Sequence, residues 1–380
     1  MRVMFCQPSS AKSAISGPER QTVQVVRALQ QRGHEVIIAV ILVNEAEEVA
    51  ETTLAIHARE HGVEVVALYL PERYHLSRSV RRFARLVERW LPDVVCTAGY
   101  KADIISAFYQ KVPSIAVTRG WTAKDLKVRF FEWLDKRTLW RHAGVVVVSP
   151  SQKAEVARLR VPSERVFYIP NAMDISVLPP AYERAQVSQM VAFCPSCALV
   201  GYVGRLSVEK AVGYLLDAMA ELRAKHADVH LVVVGEGDQR AHLQERVESL
   251  GLPRAVTFLG ERGDARQIIG AIDVLILPSL TEGLPNVVLE AFAYKTPVVA
   301  TAVGGVLELV KDGETGWLVP PRDPHALAQA ILDALANPEE ARRRAENAYK
   351  HLLENFTVEK QVDKWEQALQ AAVENWRRRT

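Results

Sequence analysis

Short runs of apolar and β-branched residues recur along the first half of the chain, at Val3–Cys6, Val36–Val43, Val63–Leu68, Val94–Thr97, Ile115–Thr118 and Val145–Ser149. Between them, as in Pro18–Arg32 and Arg78–Trp90, apolar positions fall three and four apart. A continuous apolar run is a strand buried on both faces. Its alternation with helical spacing predicts β-α-β units stacked round a parallel sheet. The pattern breaks over Asp174–Cys197, a stretch rich in proline and polar residues. It resumes at Leu199–Val203, His230–Val234, Val256–Leu259, Val274–Leu277, Val298–Ala300 and Gly316–Val319, followed by helical spacing over Pro338–Asn355 and Val358–Arg378. Two Rossmann-like α/β/α domains with a linker near residues 171–197 are expected. Open sheets of this kind bind ligands at the carboxyl ends of their strands, and two in tandem would face each other across a cleft.

Composition narrows this reading without changing it. A chain of 380 residues has room for two or three domains at about 100–200 residues each. With 49% hydrophobic and 24% charged residues it is ordinary for a globular protein, which argues against long disorder. No apolar run reaches the ~18–20 residues of a membrane span, and Met1–Cys6 reads as a first strand rather than a leader. Four cysteines are too few for a disulfide framework, so a cytoplasmic location is expected. The net charge of +2 hides an asymmetry. Residues 1–180 carry 25 Lys and Arg against 18 Asp and Glu, a balance of +7, and residues 181–380 carry 22 against 27, a balance of −5. The first domain is therefore the one suited to an anionic partner.

Candidate chemistry concentrates in the second domain. Gly201-Tyr202-Val203-Gly204-Arg205 runs from a strand into a glycine-bearing turn, with Lys210 five residues after Arg205. Two cations beside a closely approachable backbone can neutralise a diphosphate, although surface Arg and Lys after a strand are common. In Leu277-Pro278-Ser279-Leu280-Thr281-Glu282-Gly283-Leu284-Pro285-Asn286-Val287 a strand gives way to a loop, and Pro285 suits the first position of a new helix. The unpaired amides of such a helix attract anions. Glu282 in the loop and Glu290 inside the helix either accept hydrogen bonds from ligand hydroxyls or are a cap and a solvated side chain.

The pair Glu282…Glu290, set in Pro-Ser-x-x-Glu-Gly-x-Pro-Asn, resembles the retaining nucleotide-sugar glycosyltransferases of family 4, with the GT-B fold. Further matches follow in the family's order: Ser16–Arg20, Arg32–Val36, Ile169–Asp174, Gly204-Arg205…Glu209-Lys210, Val234–Gly237, Phe258–Gly260, Pro297–Thr301…Gly304-Gly305…Glu308 and Asp312…Val319. The resemblance spans essentially the whole chain. It implies an acceptor-side domain over 1–175, with the last helix, 358–380, packing back on it, and a nucleotide-sugar domain over 176–357.

Carried over by motif, the resemblance implies that Arg205 and Lys210 hold the diphosphate of a UDP- or GDP-sugar and stabilise the leaving group. It implies that Glu290 holds the ribose and Glu282 the transferred sugar, with Gly283, Leu284, Asn286 and Val287 offering backbone amides. Gly17 and Gly204 would approach the phosphates, and Gly235 and Gly260 would frame the base. No cofactor or metal is implied, and no Asp-x-Asp pair occurs. The acceptor would be a glycan or a lipid-linked precursor of a cell-surface polysaccharide. Two other readings are an epimerase on the same fold and a non-catalytic sugar-nucleotide binder.

Departures from the family fall on the acceptor side. Many relatives place a histidine there, whereas this chain reads Arg119-Gly120-Trp121 and Ala98-Gly99-Tyr100-Lys101. Arg119 cannot act as a base but, with Lys101, could grip an anionic acceptor. Lys210-Ala211 stands where Lys-Gly is commoner. Arg78, Arg81, Arg82, Arg85 and Arg89 share a helix face near Phe83, Leu86 and Trp90, which is either a solvated face or a peripheral contact with anionic lipid at the inner face of the membrane. No basic-aromatic module for nucleic acid appears. Cys194 and Cys197 lack two further ligands for zinc and are read as linker cysteines.

Overall fold

The computed structural model describes residues 1–9, 15–43, 48–71, 75–118, 120–121, 126–191, 197–225 and 228–379. It divides into two compact units, Met1–Ala172 with Val358–Thr380, and Met173–Thr357. Arg119 and Cys194 lie outside the described residues.

The first unit runs β1 (Arg2–Pro8), α1 (Gly17–Gln31), β2 (Glu35–Leu42), α2 (Thr53–Glu60), β3 (Glu64–Tyr69), α3 (Leu76–Trp90), β4 (Val94–Ala98), α4 (Tyr100–Ala107), β5 (Ser114–Thr118), α5 (Leu126–Thr138), β6 (Gly144–Val147), α6 (Pro150–Ala157) and β7 (Val166–Tyr168). Its seven strands are all parallel, in the order β3-β2-β1-β4-β5-β6-β7. The central β1 is buried on both faces, as its run of apolar residues requires. α1 opens on a capping box in which Ser16 and Glu19 satisfy each other's backbone amides.

The second unit runs α7 (Arg184–Met190), β8 (Ala198–Val203), α8 (Val212–Ala224), β9 (Val229–Val234), α9 (Arg240–Ser249), β10 (Val256–Gly260), α10 (Ala265–Ile269), β11 (Val274–Leu277), α11 (Asn286–Ala293), β12 (Val298–Thr301), α12 (Val306–Leu309), β13 (Trp317–Val319), α13 (Pro324–Ala336) and α14 (Pro338–Asn355). Its parallel sheet is ordered β10-β9-β8-β11-β12-β13. The last helix, α15 (Val358–Arg377), belongs to the first unit. Trp365 meets Phe5 edge-on at 5.4 Å, and Val362, Leu369 and Ala372 join the same core. Losing a buried tryptophan of this kind costs roughly 3–5 kcal/mol.

Two elements differ from the sequence reading. β7 adds a short edge strand, and α7 folds inside the stretch read as irregular. Helix α7 buries Val187 and is held at its start by Glu183 and Gln186, a capping pair that apolar periodicity does not reveal.

Candidate active site

In each sheet the chain order reverses at the central strand: β1 lies between β2 and β4, and β8 between β9 and β11. The loops leaving the carboxyl ends of such a pair diverge and open a crevice. In the second unit the loop after β8 carries Gly204, Arg205 and Lys210, and the loop after β11 carries Glu282, Gly283 and Leu284. Leu280 N–H donates to Glu209 O at 2.8 Å and ties the two loops together.

Close backbone approach shapes the rest. A Cβ on Gly235 would fall 1.9 Å from Gly204 O, and its φ of +137° suits glycine alone. A Cβ on Gly305 would fall 1.6 Å from Gly283 O, so the β12 loop seats directly on the Glu282 loop. Buried Tyr202 donates its hydroxyl to Arg205 O at 2.9 Å and pins the turn from below.

Charge is paired throughout this site. Lys210 Nζ stands 2.6 Å from Glu282 Oε1, which also accepts from Ser279 Oγ at 2.6 Å. Their side chains are 22% and 7% exposed, so the pair is largely desolvated. Glu282 Oε2 has no hydrogen-bond partner among the described residues and can accept from a ligand hydroxyl. Asn286 Oδ1, at the mouth of α11, is buried and equally without a partner among the described residues. Pro285 is the N-cap of α11 rather than its first residue, one position from the expectation, and the helix begins at Asn286. Arg205 is exposed and donates to Glu209 Oε1 at 2.5 Å. Glu290 is not solvated: it is buried in α11 and accepts from Arg266 Nε at 2.7 Å. Arg266 sits in five-residue α10 with no motif around it, so sequence reasoning missed it.

The sequence-predicted donor residues thus fall into three places. Arg205, Lys210, Glu282, Gly204, Gly235, Gly283 and Leu284 lie on the loops just described, and Asn286 and Val287 open α11. Gly260 ends β10, where its carbonyl accepts from Gly235 N at 2.7 Å, and Glu290 lies one helical turn into α11 with Arg266. Gly17 belongs to the first unit, as the first residue of α1.

The first unit has a cavity of about 510 Å³ at the carboxyl ends of β1, β4 and β5. Glu19, Asp103, Glu132 and Asp135 line it, each buried. Glu19 is satisfied by Ser9, Ser16 and Thr53, and Asp103 by Thr97 Oγ1 at 2.5 Å. Asp135 Oδ2 accepts from Trp121 Nε1 at 2.9 Å, while its Oδ1 has no partner among the described residues. Burial pushes the Asp135 carboxyl up to about 6, against the Trp121 hydrogen bond. These acids come from three helices, Glu19 from α1, Asp103 from α4 and Glu132 and Asp135 from α5, and no motif announced them. Lys101 lies on α4 beside the lining residue Tyr100, and Arg119 falls outside the described residues. The only group among the described residues able to offer three metal ligands, His57, Glu60 and His61, is at the end of α2 in the first unit.

The basic face of α3 divides as expected by charge but not by apolar contact. Arg78, Arg81, Arg85 and Arg89 point outward, while Phe83 is buried and Leu86 and Trp90 pack against the core. Cys6 and Cys96 are buried in strands, and Cys197 is half-buried just before β8. No helix among the described residues is long and apolar enough to cross a membrane.

Comparison with known proteins matches residues 15–177 to the family model "Glycosyltransferase Family 4" and residues 196–351 to "Glycosyl transferases group 1". The chain is 32% identical over 253 residues to the lipopolysaccharide core biosynthesis mannosyltransferase LpcC of Rhizobium leguminosarum, covering 64% of this chain and 71% of that protein. It is 28% identical over 390 residues to a glycogen synthase of Mycobacterium tuberculosis, covering 94% and 91%. Among solved structures, Anabaena HepE in complex with UDP-glucose superposes with a TM-score of 0.83 at 21% identity, over 97% of this chain and 99% of that one.

Proposed function

The chain belongs to the family 4 glycosyltransferases and has their GT-B type of fold, and we propose that it moves a sugar from a nucleoside diphosphate sugar to an acceptor hydroxyl with retention of configuration. The observation that carries the donor half is the Lys210–Glu282 pair. A desolvated cation and a carboxylate with an open oxygen, beside Arg205 and the mouth of α11, suit a ligand that is anionic at one end and hydroxylated at the other. Lys210 and Arg205 take the diphosphate, Glu282 Oε2 and Asn286 Oδ1 accept from sugar hydroxyls, and Arg266 orients Glu290 toward the ribose. HepE, of the same fold, was solved with UDP-glucose bound.

As the glycosyl bond breaks, negative charge builds on the departing diphosphate. Two cations and the amides of Gly283, Leu284, Asn286 and Val287 are fixed where that charge develops. Preorganised donors of this kind supply the stabilisation that a divalent ion supplies elsewhere, so the reaction runs without a metal. Retention follows from front-side attack, in which the departing phosphate takes the acceptor proton and no side chain serves as nucleophile. The cavity of the first unit takes the acceptor, a glycan or lipid-linked precursor.

The test is a thermal-shift panel of UDP-, GDP- and ADP-sugars followed by calorimetric titration with the nucleotide that stabilises most. Arg205→Ala is expected to weaken that nucleotide at least about tenfold, since its contact is charge-assisted. Unaltered affinity removes Arg205 from the donor site. Product formed only when acceptor is supplied separates a transferase from an epimerase.

A further inference from the structure

Helix α5 is built the wrong way round for a globular protein. Its positions 126, 129, 130, 133 and 137 share one stripe at helical spacing, and that stripe is the one that faces out. Leu126 is 82% exposed, Phe130 58% and Trp133 52%, and the stripe runs on to Trp140, 50% exposed, just past the helix. Arg129 and Arg137 interleave with them. Phe130 and Trp133 stack at 6.1 Å, and the Arg137 guanidinium lies 5.1 Å above the Trp133 ring. Arg141 extends the patch by bridging Trp140 and the exposed Phe108 ring, at 5.5 and 5.3 Å. The acids of α5, Glu132 and Asp135, point inward, so among its described side chains the outer stripe carries no negative charge.

We infer that this stripe seats the protein on an anionic lipid bilayer. Large rings beside guanidinium groups fit the headgroup boundary, where the ring enters the acyl layer and the cation meets phosphate. Charge complementarity selects this occupant over a purely apolar partner. The basic face of α3, whose apolar side is buried, can add attraction but no insertion; α4 touches both helices. The opposite face of α5 lines the cavity through Glu132 and Asp135, so the cavity assigned to the acceptor opens beside a lipid-seated helix. This last step rests on that assignment and favours a lipid-linked acceptor.

Vesicle co-sedimentation of the full chain tests the surface directly. Wild type is expected to bind phosphatidylcholine vesicles containing roughly a third phosphatidylglycerol and to bind pure phosphatidylcholine weakly. The double variant Phe130→Ser/Trp133→Ser, exposed at both sites, is expected to lose at least about tenfold in vesicle affinity, and Arg129→Glu/Arg137→Glu to lose the preference for anionic lipid. UDP titration of each variant is the control: unchanged nucleotide affinity shows an intact second unit and separates failure of this inference from failure of the donor site. Wild type that ignores anionic vesicles, or serine variants that bind them equally, overturns the inference. So does a dimer in sedimentation velocity that the serine variant dissociates, because the stripe is then a contact between copies.

Discussion

Replacing Lys210 by methionine removes the counter-charge 2.6 Å from Glu282 Oε1 and leaves that carboxylate with Ser279 alone. Two consequences separate. Breaking a fully buried pair costs about 3–5 kcal/mol and an exposed one at most about 1 kcal/mol. With the lysine about a fifth exposed and the glutamate nearly enclosed, a loss of about 2 kcal/mol is expected. For a unit of this size that lowers Tm by about 4–8 °C. Independently, a lost charge-assisted contact to diphosphate weakens UDP by about 10–100-fold. The double variant Lys210→Met/Glu282→Gln distinguishes them, since it removes the orphaned charge but restores no cation. Its stability should return to within about 1 kcal/mol of wild type while UDP stays weak. Denaturant unfolding and calorimetric titration on the four proteins of the cycle give both numbers. If the double variant regains wild-type UDP affinity, Lys210 serves only to neutralise Glu282, and the diphosphate contact assigned to it is refuted.

Other changes test the frame around the site. Ala211 holds φ +53° and ψ 35° between Lys210 and α8, a conformation that costs an L-residue about 1–2 kcal/mol, so Ala211→Gly should raise stability by up to about 1 kcal/mol after its entropy loss; a fall in the unfolding midpoint contradicts this. Gly305→Ala places a Cβ on top of Gly283 O and must push the Glu282 loop aside, with UDP binding abolished and at least about 2 kcal/mol of stability lost in urea. Full burial holds the His142 imidazole down at about 3 against its usual 6.5. Between those values the unfolded chain takes a proton that the folded one refuses, so stability is complete above pH 6.5 and falls by about 1.4 kcal/mol per unit below it; in His142→Gln the acid limb should flatten by that slope. Asp135 has the opposite sign. Its carboxyl is raised from 3.8 to about 6, so stability drops as pH climbs through that window, and Asp135→Asn should stabilise the protein by about 2 kcal/mol at pH 8.

The loops after β8 and β11 were readable because each is spelled by neighbouring residues and its geometry is backbone geometry. A loop that must leave β11, turn and start α11 is spelled by Gly283, Pro285 and Asn286 themselves. The partners that lock this frame were not readable. Arg266 reaches Glu290 from a different helix, 24 positions away, and nothing in Ala265–Ile269 distinguishes it from a surface arginine. β7 escaped because a three-residue, half-buried edge strand has no run long enough to stand out. The acids of the cavity escaped for a stronger reason. A carboxylate in helical spacing reads as solvated unless tertiary structure overrides it, and Asp103, Glu132 and Asp135 are all overridden.

Helix α5 shows what such an override implies. Periodicity alone would bury Leu126, Phe130 and Trp133 and expose Glu132 and Asp135; the fold does the reverse for all five. Burying Phe130 and Trp133 would have been worth roughly 2–3 kcal/mol each, and keeping Asp135 inside raises its carboxyl by desolvation, so the outer rings and the inner acid cost stability that buried Phe131 only partly offsets. Sequences that fold well are locally consistent with their structures, and conflict of this size collects at functional surfaces. One face of α5 presents acids to a cavity and the other presents rings and guanidinium groups to the outside. On the function proposed, this one helix would join the cavity assigned to the acceptor to the surface inferred to meet lipid.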